Sequence, residues 1–407
     1  MEMLDIEVFE GGFKETELGP LPEEWEVVRL GEVGNYINGY AFKPSDWSKI
    51  GKPIIRIQNL NNPLASFNYY NGELDHKYLV KKGDILISWS ASLGVYLWNG
   101  GDAWLNQHIF KVELTNQKVL KDYFYFALLY YFTSQAFTNL HGSTMKHIVK
   151  SKFLNISIPL PPLEEQKAIA GILSTVQSAI EKTEKVINAL KNLKKSMMKH
   201  LFTYGPVAEE EAEKVELKET EIGLIPKHWE VVRLGEVIKY YTPSKKLKQS
   251  DYKAFGKFPV IDQGQKYIAG FYDDETMVFD KDLPVILFGD HTRIIKYIDF
   301  PFICGADGLK IIVPKENFHR KYFYYALLNL NIPSRGYNRH FTILREKLIP
   351  LPTLEEQQKI AQILQSIDQR IEKEEKYKNA LQNLFKSLLH NLMTGKIRVR
   401  VKDHGED

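Results

Sequence analysis

The sequence feature that most constrains this chain is a helical segment that occurs twice. Each copy starts with a proline-containing stretch, residues 158–162 in the first and 349–353 in the second, and continues with Leu-Glu-Glu-Gln. Proline suits the first turn of a helix but not its interior, and the helix dipole favours acidic residues near that end. The sequence therefore predicts two long helices that begin at these stretches and continue to about Phe202 and Met393.

Both predicted helices carry a seam of residues spaced alternately by four and three, which is the period of a coiled coil. The first seam consists of Ile169, Leu173, Val176, Ile180, Thr183, Ile187, Leu190, Lys194, Met197 and Leu201. The second consists of Ile360, Leu364, Ile367, Ile371, Glu374, Lys378, Leu381, Phe385, Leu388 and Leu392, each 191 residues after its counterpart (360 − 169). An antiparallel pairing, in which the numbers of facing residues add up to 561, matches every seam residue with another.

Two long helices buried in separate domains are the alternative to a helix pair. A helix of about forty residues is roughly 60 Å long, which is longer than an ordinary helix inside a domain. Only a narrow stripe of each helix is apolar, and the remaining faces are dense in Lys and Glu. These properties favour a paired coiled coil over two buried helices.

Two further motifs are repeated, which indicates that the chain is a tandem duplication. Trp-Glu-Val-Val-Arg-Leu-Gly-Glu-Val occurs at 25–33 and at 229–237, and an aromatic segment occurs at 123–129 and at 322–328. The offset between the copies falls from 204 (229 − 25) through 199 (322 − 123) to 191, so the second copy is shorter between the shared motifs. This pattern predicts two similar scaffolds that carry different surfaces.

The predicted fold class is mixed α/β (α+β), with two domains separated by two long antiparallel coiled-coil helices. The predicted segments are an N-terminal arm with the first domain (1–158), the first helix (159–203), an acidic linker (204–220), the second domain (221–349), the second helix (350–394) and a C-terminal tail (395–407). Residues 1 to about 16 lack periodicity, and we expect a weakly ordered arm there.

The composition sets only broad limits on compartment and partners. The net charge is +3, from 54 basic and 51 acidic residues, so any nucleic-acid surface must come from local clusters of charge. The single Cys304 excludes an intramolecular disulfide and fits a reducing compartment. There is no apolar run of eighteen residues and no signal peptide, so we expect a cytoplasmic protein with no membrane association.

The sequence lacks the motifs of methyltransferases, of phosphate-binding loops and of metal sites. It lacks the Asn/Asp-Pro-Pro-aromatic segment and the glycine-rich cofactor loop of an amino-group methyltransferase, and it lacks a phosphate-binding loop. His and Cys do not cluster at metal-ligand spacing, and Asp251-x-Lys253 is only half of a metal-nuclease motif. The sequence therefore predicts binding rather than catalysis, with no cofactor, no metal and no catalytic residue.

The loops of both copies are rich in side chains that bind base edges and phosphates. For any one of these residues, a solvated loop or a local turn bond is the commoner role, and a core position is the alternative for His108. The prediction rests on the set. The candidate DNA-binding residues of the first copy are Lys43, Ser90, Ser92, Asn106, Gln107, His108, Ser143, Thr144, Lys146 and His147. Those of the second are Lys245, Lys246, Lys248, Gln263, Gln265, Arg293, Tyr337, Asn338, Arg339 and His340.

From about residue 17 to 399 the layout resembles the specificity subunit of Type I restriction-modification systems. The resemblance is carried by Leu-Pro-x-Leu-Glu-Glu-Gln at 160–166 and 351–357, and by the repeated Trp-Glu-Val-Val-Arg-Leu-Gly-Glu-Val. Gly-Asp-Ile-Leu-Ile-Ser at 83–88, Asn-Gln-His at 106–108 and Gly-Ser-Thr at 142–144 are also typical of this family. The second copy departs from the pattern, since Ala306-Asp307-Gly308 stands where the first has Asn-Gln-His, at an offset of 200 (306 − 106), close to Lys111 and Lys310, which are 199 apart (310 − 111).

The resemblance implies two target-recognition domains that each read one half of a split sequence in double-stranded DNA. It also implies that the helices hold the domains apart and dock two DNA methyltransferase subunits, to which restriction subunits add. Methylation and ATP-driven cleavage would belong to those partners. The alternatives from other functional classes are a coiled-coil scaffold with two protein-binding domains and no DNA specificity, and a stand-alone nuclease.

Overall fold

The computed structural model describes residues 5–7, 11–62, 64–138, 148–243, 245–334, 336 and 338–400. The chain divides into two compact units, the first formed by residues 1–183 and 377–407 and the second by residues 184–376. Each unit therefore contains one of the two repeated domains together with half of each long helix.

The first unit is built from short strands, four short or medium helices and the start of the first long helix. Its strands are β1 Asp5–Glu7, β2 Phe13–Thr16, β3 Gly19–Pro22, β4 Glu26–Arg29, β5 Gly34–Asn38, β6 Lys52–Ile55, β7 Asn68–Tyr70, β8 Leu79–Val80, β9 Ile85–Ser88, β10 Gly94–Leu97, β11 Ala103–Leu105, β12 Ile109–Leu114 and β13 Ser157–Leu160. Its helices are α1 Leu30–Val33, α2 Ile57–Asn61, α3 Lys121–Thr138, α4 Lys150–Leu154 and α5 Leu163–Tyr204, the last of which continues into the second unit.

The second unit repeats this plan. Its strands are β14 Leu217–Thr220, β15 Gly223–Pro226, β16 Glu230–Arg233, β17 Ile238–Tyr241, β18 Phe258–Ile261, β19 Gly270–Tyr272, β20 Val278–Phe279, β21 Val285–Gly289, β22 Ile295–Ile298, β23 Phe302–Cys304, β24 Leu309–Pro314 and β25 Leu348–Leu351. Its helices are α6 Arg320–Leu328, α7 Phe341–Arg345 and α8 Leu354–Met393, and α8 ends in the first unit before β26 Arg398–Arg400.

The sheets confirm the duplication. In the first unit two four-stranded sheets have the orders β10-β9-β12-β5 and β7-β6-β11-β8, and in the second unit the orders are β22-β21-β24-β17 and β19-β18-β23-β20. In each copy one pair of strands is parallel, β6 with β11 and β18 with β23, while the other ladders are antiparallel. The central strands β9 and β21 are buried along their whole length, as expected of continuous apolar runs.

Three short strand pairs form in segments that have no periodic pattern of apolar residues. Residues 13–16, expected within a weakly ordered arm, pair with 19–22, and residues 5–7 pair with 398–400 of the C-terminal tail. Residues 217–220, which the prediction assigned to the acidic linker, pair with 223–226. Strands of three or four residues are too short for an alternating pattern to be recognised in the sequence.

The two coiled-coil seams are confirmed. All twenty seam residues are buried or half-buried, whereas Lys191 and Lys195 on the outer face are exposed. In the first unit, Ile169 of α5 lies in the same apolar core as Leu392 of α8, as an antiparallel pairing requires. In the second unit, Lys194 forms an ion pair of 2.6 Å with Asp368.

The repeated Leu-Glu-Glu-Gln motif fixes the start of each long helix to its own domain. In the second unit Gln357 is fully buried, its Oε1 accepts from the His319 amide at 2.8 Å, and its Nε2 donates to the carbonyls of Asn317 and Pro352. Gln166 makes the same three bonds in the first unit, at 2.8–2.9 Å. The motif is therefore explained by the packing of the helix start.

The glutamate before each glutamine binds the indole of the repeated tryptophan. Trp25 Nε1 donates to Glu165 at 2.9 Å, and Trp229 Nε1 donates to Glu356 at 3.0 Å. Both indoles are fully buried, so each needs a hydrogen-bond partner inside the protein. In the first unit Arg398 also forms an ion pair with Glu165, and its Nη2 donates at 2.9 Å, which joins the C-terminal strand to the same site.

Candidate nucleic-acid interface

Three loops of the second domain meet at one edge of its sheets. Residues 262–266 follow β18, residues 290–293 follow β21, and residues 305–308 follow β23. The side chain of Gln263 connects all three loops, because its Nε2 donates to the Asp307 carbonyl at 2.8 Å and its Oε1 accepts from the His291 amide at 3.2 Å. This predicted base-reading amide is therefore engaged with backbone groups, and its role in the structure is to hold the loops together.

A cluster of charge lies on this loop edge around Asp307. Lys246 Nζ lies 2.7 Å from the Asp307 carboxylate, whose side chain is 87% exposed. The hydrogen bond from Lys246 lowers the pKa of Asp307, and the charges of Lys246, Arg339 and His291 lower it further. The structure thus brings Lys246 and Arg339, two of the predicted DNA-binding residues, to one place.

A buried lysine holds the loop at residues 262–266 through two hydrogen bonds. Lys296 of β22 is 5% exposed, and its ammonium donates to the carbonyls of Asp262 and Lys266 at 2.8 and 2.6 Å. Burial lowers the pKa of Lys296, while the carboxylate of Asp262 opposes that shift. The bracing presents Gln265, a predicted DNA-binding residue, on an exposed part of the loop.

Two predicted contacts of the second domain occupy structural positions instead. His340 is fully buried, its Nδ1 lies 2.9 Å from the Asp290 carbonyl, and its amide donates to the Asp290 carboxylate. Arg293 has a positive φ of 64° and donates to the Ile332 carbonyl at 2.8 Å. His340 is fully buried, and its contact with DNA stays a sequence-based prediction. The half-buried Arg293 donates to the segment that leads to Arg339.

The remaining candidates of the second domain lie on its surface. Lys245, Lys248, Asn338 and Arg339 are exposed, and the Lys245 ammonium donates to the Thr276 carbonyl at 3.1 Å. Tyr337 lies outside the described residues.

In the first domain the Asn-Gln-His turn lies at the equivalent sheet edge. The Gln107 amide donates to the Tyr40 carbonyl at 2.8 Å, and the His108 ring packs edge-on against Trp89 with centroids 4.9 Å apart. Asn106 Oδ1 and His108 Nδ1 are buried and have no hydrogen-bond partner among the described residues. Buried polar atoms without partners are costly and often mark a functional site.

The other candidates of the first domain fall into two groups. Lys43 is exposed, while Ser90 and Ser92 are half-buried in the turn after β9, where the Ser92 amide donates to the Ser90 carbonyl at 2.7 Å. Ser143, Thr144, Lys146 and His147 lie outside the described residues.

The backbone aligns two turns, residues 106–108 of the first domain and residues 305–308 of the second, which are named the recognition turns. Asn106 and Gly305 each follow the strand that pairs in parallel, and their amides donate to equivalent carbonyls of β6 and β18. His108 and Gly308 each have a positive φ, 72° and 90°, at the end of the turn. One residue lies between Asn106 and His108, whereas two residues lie between Gly305 and Gly308. The second turn is therefore one residue longer, and it contains a carboxylate, Asp307.

The same register separates the two lysines that the sequence alignment had matched. Lys111 is buried in β12 and donates to the Leu79 carbonyl at 3.0 Å. Lys310 in β24 donates to the Thr242 hydroxyl at 3.0 Å. Strand β12 starts at Ile109 and β24 at Leu309, so the structural offset in these strands is 200 (309 − 109), which equals the offset between Asn106 and Ala306. Lys111 and Lys310 are 199 apart (310 − 111) and are therefore not equivalent. A pair of identical lysines near a turn does not by itself reveal a one-residue insertion in that turn.

The comparisons with known proteins agree with this architecture. The sequence model of the Type I restriction modification DNA specificity domain matches residues 22–192 and 226–383, which together make up more than half of the chain. The chain belongs to the family of Type I restriction-modification specificity subunits. One relative, the Type I restriction enzyme MjaVIII specificity subunit of Methanocaldococcus jannaschii, is 34% identical over 96% of this chain and 97% of its own length.

Two further comparisons give a partial match in sequence and a match in fold. The EcoBI specificity subunit of Escherichia coli is 31% identical over 54% of this chain and 48% of its own length. The crystal structure of the S subunit from M. genitalium superposes with a TM-score of 0.65 at 18% identity, and the match covers 91% of this chain and 96% of that one. At this level of identity the match supports the fold alone.

Two absences hold for the residues that the structure describes. None of the described helices combines the length and the apolarity needed to cross a membrane. Within the same residues, no group of three or more His, Cys, Asp and Glu side chains is placed to hold a metal ion.

Proposed function

We propose that this chain is the non-catalytic specificity subunit of a Type I restriction-modification enzyme and that each domain reads one half of a bipartite site in double-stranded DNA. The observation that supports this most strongly is the equivalent placement of two dissimilar loop sets on one repeated scaffold. A common frame with different loops suits a protein that recognises two different short sequences. The frame supplies the geometry and the loops supply the specificity.

The proposed contacts of the second domain are those that remain on its exposed loop edge. They are Lys245, Lys246, Lys248, Gln265, Asn338 and Arg339, with Tyr337 retained from the sequence prediction. Gln263, Arg293 and His340 support these residues from within the loops. Lysine and arginine bind phosphates and guanine, while amide side chains bind adenine.

The proposed contacts of the first domain include the Asn-Gln-His turn, and those at 143–147 are retained from the sequence prediction. They are Lys43, Ser90, Ser92, Asn106, Gln107, His108, Ser143, Thr144, Lys146 and His147. The half-buried side chains of Asn106, Gln107 and His108 support this assignment, because part of each reaches the surface at the loop edge.

The proposed partners are two DNA methyltransferase subunits, which dock on the exposed faces of α5 and α8, and restriction subunits that join them. Chemistry then resides in the partners, and this chain needs no cofactor of its own. A complex that acts on chromosomal DNA places the chain in the cytoplasm.

The direct test is co-expression with a cognate methyltransferase, followed by mapping of methylated sites in the host genome. A single split motif with a fixed gap is expected. A gel-shift assay with matched and scrambled duplexes at two salt concentrations separates this function from that of a protein-binding scaffold, since only sequence-specific binding keeps its preference as salt rises. Methylation or metal-dependent cleavage by the chain without partner subunits contradicts the proposed division of labour.

A further inference from the structure

Asp307 of the second recognition turn carries an exposed carboxylate that forms an ion pair with Lys246. The backbone at Asp307 is held on both sides, because its carbonyl accepts from Gln263 Nε2 at 2.8 Å and the amide of the preceding Ala306 donates to the Tyr252 hydroxyl at 3.0 Å. The carboxylate itself is bonded to Lys246 and is 87% exposed. The turn therefore presents the carboxylate outward in a defined position.

Stability alone gives little reason for this ion pair. Ion pairs between exposed charges contribute little to folding, and Lys246 and Asp307 both reach solvent. An anionic group on a surface that binds DNA also repels phosphates, so it weakens binding unless it contacts something else on the duplex. Base edges are that alternative, because a carboxylate is purely a hydrogen-bond acceptor and some bases present donors in the major groove.

The carboxylate and its lysine together match one base pair better than the others. In the major groove, cytosine presents its N4 amino group as a donor, and the paired guanine presents O6 and N7 as acceptors. Adenine also offers an amino group, but its neighbouring N7 acceptor repels a carboxylate. An acceptor from Asp307 beside a donor from Lys246, 2.7 Å apart, is complementary to the adjacent donor and acceptor of a cytosine–guanine pair.

We propose that Asp307 determines specificity in the second domain by accepting a hydrogen bond from the N4 amino group of a cytosine in its half-site. Lys246 donates to O6 or N7 of the guanine paired with that cytosine. This inference rests on the proposed function and adds a residue that the sequence-based candidates did not include.

The test uses the full chain assembled with its methyltransferase partner. The methylated motif of the wild-type complex is mapped first, and duplexes are then made with each of the four base pairs at every cytosine–guanine position of the second half-site. For Asp307→Ala, discrimination against the other three pairs should fall by about tenfold or more at one such position. The first half-site should be unchanged, and affinity for non-specific duplex should be equal or higher, since a negative charge has been removed.

Asp273→Ala is the matched control. Asp273 is an exposed carboxylate of the same domain that directly follows β19, and it forms a comparable ion pair of 2.8 Å with Lys253, which precedes β18. This variant should retain the wild-type motif. Asp307→Ala should unfold at the wild-type temperature, because its side chain is exposed, so a loss of discrimination is not a loss of fold.

Several results overturn the inference. They are an unchanged motif in the Asp307→Ala complex, relaxation at an adenine–thymine position, or relaxation of both half-sites together. The proposed function itself fails if the wild-type complex methylates no split motif, and this result appears in the first mapping experiment. The two failures are therefore distinguishable in one series of measurements.

Discussion

Replacing Gln357 by leucine should destabilise the second unit strongly, whereas the same replacement of its neighbour should not. Gln357 is fully buried and its amide satisfies three backbone groups, the His319 amide and the carbonyls of Asn317 and Pro352. Leucine has a similar volume but leaves all three groups without partners. At about 1 kcal/mol for each lost bond, and more for a buried group left unsatisfied, the expected loss is roughly 3 kcal/mol.

Gln358→Leu is the control, because Gln358 is the next residue on the same helix and is exposed. Both variants are compared with the wild-type chain by urea unfolding and by hydrogen exchange of the peptide that spans residues 316–328. For a unit of this size m is about 3 kcal/mol per M, so the Gln357→Leu midpoint should fall by about 1 M. The exchange of that peptide should also become faster.

A difference of less than about 0.5 kcal/mol between the two leucine variants would refute the reasoning, since ordinary surface substitutions already have effects of that size. It would mean that the repeated glutamine is not needed to attach the helix to the domain. The motif would then require another explanation, such as contact with a partner subunit.

Three further predictions test other parts of the structure. Lys296→Met should speed hydrogen exchange in residues 262–266 and relax the second half-site while leaving the first intact, because two carbonyls lose their donor; slower or unchanged exchange would contradict this. Burial raises the pKa of the Cys304 thiol to about 12. A thiol reagent at pH 8 should therefore label the folded chain very slowly and the urea-unfolded chain at the rate of a free thiol. Fast labelling of the folded chain would show that this side chain is accessible. Lys195→Glu changes an exposed residue of α5 and should weaken co-purification with the methyltransferase without lowering the unfolding temperature; co-purification that survives high salt as well as the wild type does would count against docking on this face.

The sequence predicts the long helices well because their pattern is repeated over many turns. A seam of ten residues in each helix leaves only one face that can be buried, and all of these residues are buried or half-buried in the structure. The duplication is equally readable, since identical motifs mark both copies. The short strands at 5–7, 13–16 and 217–220 are not predictable in this way, because they depend on partners elsewhere and have no period of their own.

The candidate interface is predictable only as a set of loops. Composition identifies polar residues, but it does not show which polar groups are already engaged within the protein. Gln263 and His340 have suitable chemistry for DNA, yet the structure connects both to backbone groups. Asp307 and Lys296 were missed for related reasons, since a carboxylate does not resemble a DNA-binding residue and a lysine in a strand gives no signal that it supports a loop.

The unequal divergence of the two copies follows from what each residue must satisfy. Gln166 and Gln357 each complete three buried backbone hydrogen bonds, so any other side chain at these positions leaves groups unsatisfied at a cost of several kcal/mol. At the recognition turns the backbone bonds to neighbouring strands are made by amides and carbonyls, which every residue type provides. Side chains there, such as Gln107 in one copy and Asp307 in the other, are free to differ and to follow the DNA sequence. The same scaffold can therefore hold its geometry while its two specificities diverge.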